Sequence, residues 1–112
     1  MIPIKRLPPA IQEEHRYLEF QVHCESQVEL GDVVNAVWDA ALGFDGSRGA
    51  SEMDFWIIGN RFSEKDQRGI VKVNRHSEEE LRAALALIDS LGGEKGLIEV
   101  TQVSGTLESL AS

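Results

Sequence analysis

The hydrophobic period of this chain changes along its length in the order two, 3.6, two, two, 3.6, two, and that order limits the available folds more than any single motif. From Tyr17 to Ser26, Leu18, Phe20, Val22 and Cys24 alternate with Tyr17, Glu19, Gln21 and His23, which predicts a strand buried on one side. Leu30, Val33, Val34, Val37, Trp38, Ala41 and Leu42 recur at spacings of three and four and predict an amphipathic helix ending at Gly43. Phe44 to Ser51, rich in Gly, Ser and Asp, reads as a loop. The stretch Met53 to Asn60 opens with the aromatic and β-branched content of a strand, and Gly69 to Asn74 has it again. The polar connection Arg61 to Arg68 then forms the tip of a hairpin.

Ser77 and Glu80 have the spacing of a capping box, in which hydroxyl and carboxylate each satisfy an orphan N–H at a helix start. The helix expected there continues through Leu81, Ala84, Leu85, Leu87 and Ile88 and stops at Gly92-Gly93. Leu97 to Val103 supplies a fourth strand. Crossover rules fold this order into an α+β, ferredoxin-like (RRM-like) βαββαβ sandwich, an antiparallel four-stranded sheet with two helices on one face. A chain of 112 residues supports one core, burying roughly 65% of its unfolded surface. The domain is placed at 17–107, between an N-terminal arm, 1–16, and a tail, 108–112. In the arm, Leu7-Pro8-Pro9 leads into a short helical turn.

The net charge of −8 argues against binding nucleic acid or anionic membrane through a bulk field. Its distribution matters more. Between Arg61 and Arg75, five cations (Arg61, Lys65, Arg68, Lys72 and Arg75) face two carboxylates, Glu64 and Asp66, so an otherwise acidic body carries one basic segment. The acidity also fits a salty cytoplasm. No apolar run approaches the roughly 18 residues of a membrane span, and the first residues lack the apolar stretch of a signal peptide, which predicts a soluble, cytoplasmic protein with no membrane partner. The single cysteine, Cys24, suits a reducing compartment and reads as core packing.

Catalytic constellations are missing. His15, His23 and His76 lack the spacing of a metal site, and His23 and Cys24 point to opposite faces of a strand, which disfavours a thiolate–imidazole pair. Gly92-Gly93-Glu94-Lys95-Gly96 reads as a turn rather than a phosphate cradle, and Glu78-Glu79-Glu80 as a first helical turn whose charge suits the dipole. Trp56 suggests a base-stacking platform, but the strand Arg68-Gly69-Ile70-Val71-Lys72-Val73 lacks the aromatics that RNA recognition modules place there. What it offers is Lys72 beside Arg68, Asn74 and Arg75. These groups suit phosphate contacts to a structured RNA, or else form an ordinary solvated strand face.

Leu7-Pro8-Pro9, Arg16-Tyr17-Leu18, Gly69 to Arg75 running into Leu81 to Ile88, and Val103-Ser104-Gly105-Thr106-Leu107 stand in the order found in one family. Over nearly its whole length the chain resembles the archaeal ribonuclease P protein component 2 family, whose eukaryotic relatives are shared by the nuclear ribonucleases P and MRP. The resemblance implies a non-catalytic protein subunit of the ribonucleoprotein that removes the 5′ leader of precursor tRNA. The RNA would hold the Mg²⁺ and perform the hydrolysis, with no cofactor on the protein. It implies as partners the ribonuclease P RNA, protein component 3 and, indirectly, precursor tRNA, with a homodimer inside a heterotetramer. It places RNA contacts at Lys5, Arg6, Arg16, Arg68, Lys72, Asn74, Arg75 and Arg82, with Ser104, Gly105 and Thr106 shaping a turn or touching phosphate. The chain departs from the family pattern at Gln12-Glu13-Glu14-His15, which is less basic, at Glu108, where a cation is expected, and in a short C-terminus. The competing readings are a ferredoxin-like small-molecule-binding domain and a protein-interaction domain using Trp56.

Overall fold

The computed structural model describes residues 15–110. The Pro-Pro arm with its short helical turn, and the candidates Lys5 and Arg6, lie outside the described residues. Strand β1, His15–Cys24, begins two residues earlier than its alternation predicts and is the centre of the sheet. Leu18, Phe20 and Val22 are buried on one face, while Tyr17, Glu19 and Gln21 are half-buried on the other. It pairs antiparallel with β3, Arg68–Asn74, on one side and with β5, Glu94–Ser104, on the other. The short β2, Trp56–Ile57, adds to β3, and β4, Ser90–Leu91, adds to β5.

The sheet therefore has five strands in the order β2-β3-β1-β5-β4, not the four expected. The added strand comes from Gly92 and Gly93. They do not stop a helix; both have positive φ (58° and 84°) and make the two-residue turn of the β4–β5 hairpin. The pairing of β1 with β5 shifts register between Glu19 and Phe20. At this bulge the Thr101 hydroxyl donates to the Glu19 carbonyl at 3.2 Å.

Helix α1 is longer than its sequence predicts. It runs Leu30–Met53, through Gly43 and the supposed loop, and is interrupted only at Gly46, where φ is 73° and ψ 176°. Beyond the break, Ala50 and Met53 are buried, so the second segment belongs to the core. Met53 is thereby removed from the expected strand, and Asp54 closes the helix with φ 51°. Val33, Val37 and Ala41 form the buried stripe of α1, whereas Trp38 and Leu42 on its flank stay partly exposed. Trp38 is covered on one side by Phe55, with ring centroids 4.4 Å apart.

Helix α2 occupies Glu78–Leu85, short of the expected end, so Ile88 is buried from the following turn and Leu87 points outward. Ser77 makes no capping hydrogen bond; it is buried in a 3₁₀ turn, Arg75–Ser77, at whose start the Asn74 Oδ1 accepts the His76 N–H at 2.8 Å. Leu81 and Leu85 join Val33 and Val37 over Leu18, Phe20, Val71 and Val73, so both helices cover one face of the sheet. Each large side chain fully buried there contributes about 1.5–3 kcal/mol. Cys24 packs at the margin of this core, half-buried rather than inside it, with its thiol 3.3 Å from the Lys95 carbonyl. Among the described residues, no α-helix covers the opposite face.

Candidate nucleic-acid interface

The parity of β3 decides which cations share a surface. Val71 and Val73 face the helices, so Arg68, Ile70, Lys72 and Asn74 face the open side. The open face forms rows across the strands. Lys72 stands opposite both Trp56 of β2 and Tyr17 of β1, and Tyr17 is opposite Ser104 of β5. The next row is Ile70, Glu19 and Gln102, and the one after it Arg68, Gln21 and Glu99. Arg68 is exposed and its Nε donates to the Gln21 Oε1 at 3.2 Å. Among the described residues, the ion pairs are His15–Asp54, His23–Glu99, Arg48–Glu52 and Arg82–Glu78, and none involves Arg68, Lys72 or Arg75.

The expected basic patch is split in two. Arg68 and Lys72 lie on the open face, four residues and so about 13 Å apart along one strand. Arg75 follows the end of that strand and turns to the other side. It lines, with His76, Glu79 and Arg82, a groove of about 730 Å³ between α2 and β5, floored by Ile98 and Val100. The Arg82 guanidinium there is held by Glu78 one turn back, at 3.2 Å.

Three other candidates have local structural partners. The Asn74 side chain caps the 3₁₀ turn rather than standing free. Ser104 Oγ accepts the Thr106 N–H at 3.1 Å and is hydrogen-bonded to the Ser109 hydroxyl, which in turn donates to the Thr106 carbonyl. These bonds fold the chain after β5 into a 3₁₀ turn, Glu108–Leu110. Leu110 and Ile70 line one small hollow on the open face and both are buried, so the turn covers the middle row. Arg16, at the start of β1, donates to the His15 carbonyl at 3.3 Å and lies beside Gly105, away from Arg68.

What the sequence missed is the row itself. Trp56 is 67% exposed, the most exposed large apolar side chain described, and Lys72 and Tyr17 extend from it across the sheet. Only strand register brings these three residues together, and no spacing along the chain encodes it.

Among the described residues, the α+β fold presents a sheet face that neither α-helix covers, with Arg68 and Lys72 on it and no ion pair to either. The chain belongs to the Rpp14/Pop5 family, whose profile matches residues 16–112. It is 42% identical over 106 residues to "Ribonuclease P protein component 2" of Thermococcus gammatolerans, covering 95% of this chain and 87% of that one. The component 2 of Thermococcus kodakarensis is 39% identical over the same shares, and that of Methanocaldococcus jannaschii 31% identical over 93% of this chain and 75% of its own. A chain in the cryo-EM structure of yeast ribonuclease MRP shares the fold, with a TM-score of 0.67 at 12% identity over 85% of this chain and 76% of that one.

Proposed function

We propose that this chain is a protein subunit of ribonuclease P, supporting the RNA that removes the 5′ leader of precursor tRNA. The observation that carries the reading is the likeness to component 2 proteins at up to 42% identity across 95% of the chain. The geometry is consistent with it: the sheet offers Arg68 and Lys72 to an anionic surface, and among the described residues no carboxylate is bound to either. On this reading the RNA holds the Mg²⁺ and carries the hydrolysis. The protein's residues neutralise phosphates and hold the RNA's catalytic domain in its working shape, a positioning contribution. Component 3 is the proposed protein partner, in a complex with two copies of each, and the cytoplasm the proposed location. No helix among the described residues is long and apolar enough to cross a membrane.

The strand order β2-β3-β1-β5, with both helices on one face, supports a ferredoxin-like sandwich to which β4 is an added edge. Reconstitution tests the function. The cognate RNA and component 3, with and without this chain, are assayed for precursor tRNA cleavage at limiting Mg²⁺. Cleavage that rises only with both proteins is expected. No effect on a demonstrably folded RNA would refute the subunit role and return the chain to the ligand-binding or scaffold readings.

A further inference from the structure

The geometry points to a stacking site for unpaired RNA nucleotides on the row Trp56, Lys72 and Tyr17, an inference that rests on the RNA-binding reading above and adds the kind of RNA this face takes. Antiparallel partners directly opposite one another present their side chains on the same face about 5 Å apart. Lys72 is the direct partner of both Trp56 and Tyr17, so it stands between them in one cross-strand row, and the two aromatic residues are about 10 Å apart, two strand spacings. Trp56 sits on the edge strand with two-thirds of its surface exposed. Its neighbour Ile57 faces the core, and the direction of the indole is fixed by that alternation.

Burying a tryptophan in the core would have been the ordinary use of its surface, and here the fold turns it outward on a flat support. A base offers a π-face of matching size, and stacking on an aromatic side chain tolerates any base. Charge chooses between nucleic acid and an apolar protein surface. Among the described residues no ion pair involves Lys72, and Arg68 lies further along the same strand and face. Of the acids about one row away, Glu19 accepts the Thr101 hydroxyl at 3.1 Å, and Asp54, two residues before Trp56, is paired with His15 at 3.6 Å. A lysine on a row between two aromatic residues fits a phosphate that links stacked bases, whereas a purely apolar partner would bury the ammonium without compensation.

The Leu110 turn covers the Ile70 row and so borders the site, and Trp56 stays exposed beside it. A-form duplex bases are stacked on each other and present no free face. The site therefore selects loops, bulges or single-stranded ends. This differs from the arrangement in RNA recognition modules, because the aromatics come from β2 and β1 and none from β3.

Trp38→Phe leaves Trp56 as the only indole, and its emission reports the site directly. In that background, an unstructured eight-residue oligoribonucleotide and the ribonuclease P RNA should quench Trp56, and a fully paired duplex should not. Trp56→Ala should weaken oligonucleotide binding about tenfold, within the range found for single aromatic–base stacks. Trp56→Phe should restore most of that affinity, and Lys72→Gln should lower the salt slope by about one. Because Trp56 is exposed on an edge strand, circular dichroism of the alanine variant should match the wild type. Unchanged Trp56 emission with either RNA, equal quenching by duplex, or quenching by component 3 alone would overturn the stacking site, the last in favour of a protein interface. If precursor tRNA cleavage still depended on the chain in those cases, the subunit role would stand without the stacking site. Loss of that dependence would instead refute the subunit role.

Discussion

Replacing Arg68 and Lys72 together with glutamine removes both cations from the open face while leaving the core intact, since the first is exposed and the second only half-buried. Arg68 gives up one hydrogen bond to Gln21, and among the described residues Lys72 has no carboxylate partner to strand. If each neutralises one phosphate, the slope of log K against log salt becomes shallower by about two. Between 50 and 200 mM salt, a fourfold change, the wild type then loses about 16-fold more affinity than the double variant. Fluorescence anisotropy of labelled ribonuclease P RNA across that range reads the difference. The control is Arg82→Gln. That guanidinium is already held by Glu78, so its removal should move the slope by clearly less than one. An unchanged slope in the double variant would remove the open face from the RNA interface. A loss confined to Arg75→Gln would move the interface to the groove between α2 and β5.

Two further predictions concern the support beneath that face. Gly69 lies opposite Phe20, and a Cβ there would fall 2.8 Å from Phe20 Cζ and 2.9 Å from Phe62 Cδ1, so Gly69→Ala should destabilise by about 1–3 kcal/mol. Alanine is otherwise favoured over glycine in a strand by about 0.5–1 kcal/mol, and a raised melting temperature would therefore disprove the clash. Leu110→Ala should uncover Ile70 and cost about 1–3 kcal/mol in urea unfolding; an unchanged midpoint would show that the C-terminal turn does not cover the sheet.

Burial of one face of β1 forces a period of two, and that period is visible in Leu18, Phe20 and Val22 without a structure. The end of α1 is not visible in the same way. Gly43 is exposed, nothing lies within 4 Å of where its Cβ would be, and it continues the helix; the break falls at Gly46, which adopts a positive φ. Ala50 and Met53, too few and too far apart to set a period, anchor the segment beyond it. Ser77 and Glu80 have capping-box spacing, but the chain enters α2 through a 3₁₀ turn started by Asn74, which buries Ser77. Of the site, the shared face of Arg68 and Lys72 follows from their even spacing on one strand. Arg75 has the parity of Val71 and Val73, so the same alternation separates it from Arg68 and Lys72, and it lines the groove on the helix side. Tyr17 and Trp56 are brought together by hydrogen-bond register between three strands, a property of pairing that no local spacing carries.

The acidity of the chain becomes intelligible once it is divided by layer. Helix α1 carries Asp32, Asp39, Asp45 and Glu52, and α2 carries Glu78, Glu79 and Glu80. The cations on these helices, Arg48 and Arg82, are each held by a carboxylate four residues away. On the open face, Arg61, Arg68 and Lys72 stand against Glu19, Asp66 and Glu99, of which Glu99 is engaged by His23. Sheet and helices are one layer apart, about 10 Å, close to the screening length at physiological salt. An approaching polyanion within that range is repelled by the helical side more than by the sheet, so a chain of net charge −8 can still present a definite face to RNA. The excess of acid then acts on orientation: it makes docking through the helices unfavourable and leaves the open sheet as the face with the least electrostatic cost.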